Sequence, residues 1–272
     1  MSTHSSNASI DPLNVSIILT NHNFIAIIGF VLGHFLKTIV EIVYPATCIT
    51  CKERLKNKPA IENFVCADCW SKIKRNLPPF CYRCGRHLEK NNLTKNICPA
   101  CIRRPLHFDR AFSPCLYEGT LKELIHEFKY KNKDYLGRFL SKLMIEFIGE
   151  YNLPIDLIDF IIPIPLHKTR LREREFNQAQ ILSDYIALEF DKKVMPDNLR
   201  RSRYTKTQTE LEENERFLNV KDSFVIDKGQ DIKGKNILLV DDVLTTAATS
   251  SEAAYTLKSA GANIVFVLTL AN

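Results

Sequence analysis

Apolar residues fall into two kinds of pattern along the chain. Leu157–Ile164, Ile237–Val240 and Ile264–Leu270 are apolar runs, with Pro163 and Pro165 breaking the first. Such runs are the signature of strands buried on both faces of a parallel sheet. Phe112–Tyr117, Val194 and Ser223–Ile226 add shorter strand candidates to the same sheet. Between them, Gly119–Lys129, about Tyr135–Tyr151, a stretch ending at Phe190 and Ser250–Ala260 read as helices. Strands alternating with helices predict a parallel α/β fold.

The N-terminal part reads differently. A polar opening, Met1 to Asn14, leads into an apolar segment from Phe24 to Val43. That segment is about as long as the ~20 residues a membrane span requires, but it carries His34, Lys37 and Glu41. Phe35, Leu36, Ile39, Ile42 and Val43 recur at helical spacing, so its end predicts an amphipathic helix docked on the protein, with peripheral membrane contact as the alternative. No Lys or Arg precedes Lys37 and no A-x-A-like site follows, so a secretory signal is not expected and the cytoplasm is.

Composition sharpens this division. At 272 residues, with 45% hydrophobic and 25% charged residues, the chain has the content of a soluble globular protein of about two domains. The net charge of +6 is not spread evenly. Residues 48–104 hold 13 Lys and Arg against 4 Asp and Glu, while the flanking regions are close to neutral. Eight of the nine cysteines occupy that segment, as four C-x-x-C pairs: Cys48/Cys51, Cys66/Cys69, Cys81/Cys84 and Cys98/Cys101. A C-x-x-C turn places two thiolates within reach of one ion, and two turns supply a tetrahedral Cys₄ site, the arrangement of structural zinc. Fourteen residues separate the first two pairs and thirteen the last two, which favours sequential over interleaved pairing and hence two zinc ribbons. With all positions around each ion filled by sulfur, the role is structural, and the metal supplies folding energy that so small a module lacks. Gly85, directly after Cys84, suits a turn of positive φ. The basic side chains are interleaved with Phe64, Trp70, Phe80 and Tyr82, a combination that suits single-stranded nucleic acid as well as an ordinary solvated surface. The expected organisation is an N-terminal helical segment (1–47), a double zinc ribbon (48–104) and an α/β domain (105–272).

The strongest chemical signal lies in ILLVDDVLTTAAT at 237–249. An apolar strand ends in two aspartates, and a loop of small and hydroxyl residues leads into a helix. Loop amides and a helix N-terminus suit a phosphate, and vicinal carboxylates suit a diol or its Mg²⁺. In open α/β sheets, ligands bind at the carboxyl ends of strands. The stretch resembles the 5-phosphoribosyl-1-pyrophosphate (PRPP) signature of type I phosphoribosyltransferases. The resemblance implies that Asp241 and Asp242 are the catalytic pair holding the ribose hydroxyls. It implies that Thr245, Thr246, Ala247, Ala248 and Thr249 wrap the 5-phosphate. Ala247 stands where that signature has Gly. If the loop needs positive φ there, Ala costs roughly 1 kcal/mol or more.

Beyond this motif, YEGTLKELIHEFKY at 117–130, DFIIPIPLHKTRLREREFNQA at 159–179 and LRRSRYTKTQTELEENERFLNV at 199–220 complete an ordered set with the cysteine pairs. Together they resemble the ComF family of competence-associated proteins, which join a zinc-ribbon region to a phosphoribosyltransferase-like domain. Glu175 departs from that pattern, which has Gly there. The resemblance implies two Zn²⁺ ions, Mg²⁺ with PRPP, and a pyrophosphate-facing loop bearing Arg201, Arg203 and Arg216. Asn177 and Gln178 serve either a ligand or a helix cap. The implied partners are PRPP or a related ligand, single-stranded DNA and DNA-uptake proteins. The implied function is DNA handling in natural transformation. An active phosphoribosyltransferase of unknown acceptor and a noncatalytic nucleotide-sensing scaffold are the alternatives.

Overall fold

A computed structural model describes residues 45–55, 59–89, 96–104, 106–130, 133–205, 213–227 and 231–272. The helix expected before Val43, and with it the membrane-facing alternative, lies outside these residues. The described residues divide into two compact units: those up to residue 48 with those of 52–66, and residues 49–51 with those from 67 onward.

In the first unit, β1 (Ala60–Ile61) and β2 (Val65–Cys66) pair antiparallel. Glu62 and Asn63 turn the chain at positive φ of 49° and 61°. Phe64 N–H donates to the Ile61 carbonyl at 3.1 Å and closes the turn. A second turn follows Cys48, whose carbonyl accepts from Lys52 N–H at 2.9 Å.

The second unit is built on a five-stranded, wholly parallel sheet. Its strands are β3 (Arg110–Phe112), β4 (Phe160–Pro163), β5 (Lys193–Val194), β8 (Ile237–Val243) and β9 (Val265–Ala271), in the order β3-β9-β8-β4-β5. The central strands β8 and β9 are nearly continuous apolar runs because both of their faces are covered. Side chains alternate between the faces. Ile237, Leu239, Val265 and Val267 join one apolar cluster with Ala253, Ala254 and Leu257 of α8 (Ala248–Ser259). On the other side, Leu238 and Leu268 line a small apolar recess with Ile148 of α4 (Leu136–Glu150). That helix packs on α6 (Gln178–Phe190), which lies against β4 and β8. The first helix of this part is α3 (Gly119–Lys129).

Three expectations need correction. Phe224–Ile226 is strand β7, but it pairs antiparallel with β6 (Leu199–Arg201) outside the parallel sheet. The strand expected at Phe112–Tyr117 runs from Arg110 to Phe112, and only an isolated bridge at Cys115 continues it. Arg170, Arg172 and Arg174, expected to precede a helix, lie in their own short helix, α5 (Lys168–Arg174). Glu175 at φ 68° ends it, and Asn177 restarts the chain as the cap of α6, its side chain accepting from Ala179 N–H. Helix α7 (Glu213–Val220) connects to β7.

The second cysteine-bearing turn belongs to the same compact unit as the sheet. Helices α1 (Ala67–Ser71) and α2 (Pro99–Arg103) carry Cys69 and Cys101. Cys81, Cys84 and Leu88 share the apolar cluster of β8, β9 and α8, through Leu106 and Phe108. Gly85 shows why the contact can be close. Its φ is +71°, and a Cβ there would meet the Ala111 carbonyl oxygen at 2.4 Å, below any tolerated approach. Asn76 Nδ2 donates to the carbonyls of Gly85 and Ser113, both at 2.8 Å, and ties the turn to the chain after β3.

Candidate functional site

Strand β8 carries its polar end further than expected. Asp241 and Asp242 lie within the strand, and Asp241 is still in register with Thr269 of β9. The Asp242 N–H donates to Asp241 Oδ1 at 2.8 Å. The side chain of Asp242, which is buried, meets Lys129 Nζ at 2.9 Å. Lys129 sits at the last turn of α3, immediately after buried Phe128. Burial pulls the Lys129 ammonium down, but the Asp242 carboxylate outweighs this and raises it overall. For Asp241, burial comes first and the adjacent Asp242 charge second; together they push its carboxyl up to about 7. Lys129 and a nearby arginine thus offset part of the pair's negative charge, and burial favours the neutral form of Asp241.

Around these carboxylates opens a cleft of about 1190 Å³, including its open mouth. Asp241, Asp242, Thr245 and Thr249 form one wall, and Arg201 and Arg216 belong to the same cleft. Arg170 and Arg174 of α5 and Asn177 and Gln178 of α6 line it as well. Arg201 is buried, which lowers its guanidinium to about 10 with Arg170 nearby. One of its nitrogens donates to Thr205 Oγ1 at 2.7 Å, and its buried Nε has no partner among the described residues. Arg170 donates to the Thr205 carbonyl at 3.3 Å. Several cations thus face two carboxylates, a distribution suited to a ligand with both hydroxyl and phosphate groups.

The loop after β8 is strained where the sequence suggests. Ala247 caps α8 at φ 66° and ψ 7°, in the left-handed region. Glu175 at φ 68° is the other departure from the resembled pattern, and it too sits in the left-handed region. Both non-glycine residues keep a conformation that glycine adopts freely, at about 1 kcal/mol or more each. Thr246 and Ala247 do not line the large cleft. With Thr245 they border a neighbouring recess of about 360 Å³, and Thr246 Oγ1 is buried with no partner among the described residues. Ala248 is buried as the first residue of α8. Arg203 is not in the cleft either. It donates to the carbonyls of Asn219 and Lys221 at 3.0 and 2.6 Å and braces the chain around the end of α7.

Four cleft residues of one segment escape the motif reading: Tyr117, His126, Lys129 and Tyr130. All lie in YEGTLKELIHEFKY, whose helical period marks a core face but says nothing of what its end touches. Tyr130 is half-exposed at the cleft, with the Arg174 guanidinium 5.5 Å from its ring centre.

The cysteines form two groups, as sequential pairing requires. Cys48, Cys51, Cys66 and Cys69 form one, and Cys81, Cys84, Cys98 and Cys101 the other. Within each, the ligand atoms lie within 4.8 Å of one another. Cys84 and Cys98 Sγ atoms are 3.6 Å apart. That matches the edge of a tetrahedron with Zn–S bonds of about 2.3 Å. Backbone N–H groups already point at the sulfurs: Cys66 N to Cys48 Sγ at 3.4 Å, and Cys98 N to Cys81 Sγ at 3.3 Å. Four sulfur donors and N–H support fit structural Zn²⁺ at both groups, with Cys51 exposed and Cys98 and Cys101 half-buried. No helix among the described residues is long and apolar enough to cross a membrane.

Comparisons with known proteins agree with this layout. Residues 39–103 match a double zinc ribbon domain. Competence protein F of Haemophilus influenzae is 28% identical over 227 residues, 82% of this chain and 96% of its own length. Competence protein ComFC of Bacillus subtilis is 29% identical over 202 residues, 72% of this chain and 79% of its own. The chain is thus similar to these competence proteins over most of its length. DNA utilization protein YhgH of Escherichia coli K12 is 28% identical over 205 residues, 75% of this chain and 88% of its own. Among solved structures, glutamine PRPP amidotransferase of Bacillus subtilis aligns at 18% identity, TM-score 0.31, covering 50% of this chain and 25% of that one. Hypoxanthine phosphoribosyltransferase of Trypanosoma cruzi aligns at 14% identity, TM-score 0.32, covering 50% and 64%. Likenesses of that size are too slight to support a conclusion about the cleft, whose chemistry stands on its own residues.

Proposed function

We propose that the cleft at the carboxyl end of β8 binds a phosphoribosyl ligand, PRPP or a close relative, and that the protein handles incoming single-stranded DNA in natural transformation. The observation that carries the first part is the convergence of Asp241, Asp242, Thr245, Thr249, Arg201 and Arg216 on one cleft. The carboxylates of Asp241 and Asp242 accept hydrogen bonds from the ribose hydroxyls. The loop from Thr245 to Thr249, with the start of α8 behind it, receives the 5-phosphate. Arg201 and Arg216, with Arg170, face the pyrophosphate. Asp241 and Asp242 would also hold Mg²⁺, which would supply charge screening for the pyrophosphate. Lys129 holds Asp242 in its place before the sugar arrives.

The DNA part is supported by the competence and DNA-utilization names of the relatives. It is supported also by the basic cysteine-rich segment, whose Tyr82 is more than half exposed. Phosphate contacts and ring stacking give binding that tolerates sequence and weakens with salt. Transfer to an acceptor is a separate property. It requires an acceptor to displace pyrophosphate at C1.

Two assays test the proposal. PRPP with Mg²⁺ raises the melting temperature of the zinc-loaded protein, and Asp242→Ala abolishes the rise. Single-stranded DNA binds with a steep salt dependence. An unresponsive wild type removes the ligand reading. Equal affinity for an unrelated acidic polymer removes the DNA reading.

A further inference from the structure

The second cysteine group and the loop after β8 are physically joined, which neither zinc ribbons nor a phosphoribosyl site requires. Arg86, two residues after Cys84, donates from Nη2 to the carbonyl of Thr245 in the loop. The recess between them is lined by Cys84 and Cys101 on one side and Leu244, Thr246 and Ala247 on the other. Ala247, Cys81 and Cys84 share one apolar cluster. The turn that carries Arg86 is itself closed by the cysteines: Gly85 N–H donates to the Cys81 carbonyl at 2.9 Å, and Cys81 N–H to the Arg86 carbonyl at 2.7 Å. From the other flank, His107 N–H donates to Ser251 Oγ in α8 at 3.1 Å. The loop meanwhile holds Ala247 in a costly left-handed conformation, which persists only where the surroundings over-determine it. Arg86 and the cysteine turn are those surroundings.

We propose that the second cysteine group is a metal-dependent strut for the loop at 244–249, with Arg86 as the positioning residue. A filled Cys₄ site keeps the 81–86 turn closed. The closed turn aims the Arg86 guanidinium at the Thr245 carbonyl. That contact fixes the loop in the shape that receives an anion. Loss of the metal opens the turn, frees the carbonyl and lowers anion affinity from outside the cleft. The inference rests on the loop's assignment as the phosphate site, but its first readout does not depend on a ligand.

The experiment uses the full-length zinc-loaded protein and Arg86→Met, which keeps an unbranched apolar stem. Zinc content is measured first and is equal in the two proteins. Hydrogen exchange of the amides at 244–249 is then expected to quicken about tenfold in the variant, the size of one lost net hydrogen bond to a charged donor. Amides in the middle of β8 and β9 keep their protection. Wild type stripped of metal by a chelator shows the same local change or a larger one. Ribose 5-phosphate, titrated calorimetrically, binds about tenfold more weakly to Arg86→Met. Unchanged loop exchange in zinc-loaded Arg86→Met overturns the strut. A loop that responds to Arg86 in a protein that does not bind ribose 5-phosphate supports the strut and overturns the site reading.

Discussion

Asp241→Asn changes one proton and keeps the geometry: an amide oxygen can still accept the Asp242 N–H that Asp241 accepts at 2.8 Å. In the wild type, burial and Asp242 raise the Asp241 carboxyl from 3.8 to about 7. A carboxyl raised on folding contributes stability that is fully present below its unfolded value and is lost as pH rises through the folded value. The window is therefore about pH 4 to 7, and the full loss is about 4 kcal/mol at 1.36 kcal/mol per unit. Zinc thiolate sites weaken in acid, so the accessible range is about pH 5.5 to 8. Across it, the Asp241 contribution falls by about 2 kcal/mol. For a folded part of this size that is a melting-temperature change of about 4–8 °C. The assay is thermal unfolding of zinc-loaded wild type and Asp241→Asn at half-unit pH steps. The histidines titrate in both proteins, so the difference curve isolates Asp241. The variant should be the more stable protein at pH 8, with the gap closing toward pH 5.5, and it should lose PRPP binding. Parallel pH profiles would refute the idea that the acidic pair is held partly protonated in the fold.

Other substitutions follow from the same geometry. Lys129→Met removes the partner of a buried carboxylate and should cost about 3–5 kcal/mol, read by denaturant unfolding at pH 7.5. Glu175→Gly should stabilise by about 0.5–1 kcal/mol, because the side chain is exposed and only backbone strain is relieved. Ala247→Gly relieves similar strain but gives up a buried methyl worth about 0.8 kcal/mol, so its stability should stay near wild type. A stabilisation by Ala247→Gly as large as that of Glu175→Gly would show that the methyl contributes nothing. Arg203→Ala should leave PRPP affinity within about twofold while Arg201→Ala lowers it tenfold or more, since only Arg201 belongs to the cleft.

The parts legible in the sequence are those fixed by local chemistry. Ile237–Val240 announces a central strand because a strand covered on both faces has no polar positions. The cysteine pairs announce their grouping because two near-equal gaps, fourteen and thirteen residues, mark two repeated units of four ligands each. The helices Gly119–Lys129 and Leu136–Glu150 are close to their expected limits because each has one continuous apolar face. Contacts distant in sequence leave no such trace. The Lys129–Asp242 pair joins the end of one helix to a strand more than a hundred residues later. The Arg86–Thr245 contact spans a still longer separation. Pairing of β6 with β7 is set by where the chain returns, not by the three residues in each strand. Ala247 and Glu175 stand out as departures from a pattern, but only the backbone shows that both occupy the left-handed region.

Calorimetric titration of the zinc-loaded protein with PRPP and Mg²⁺ tests the central claim most directly. The account predicts saturable binding that Asp242→Ala removes and Arg203→Ala leaves nearly intact. Absence of binding in the wild type, or binding that Asp242→Ala leaves unchanged, would contradict it.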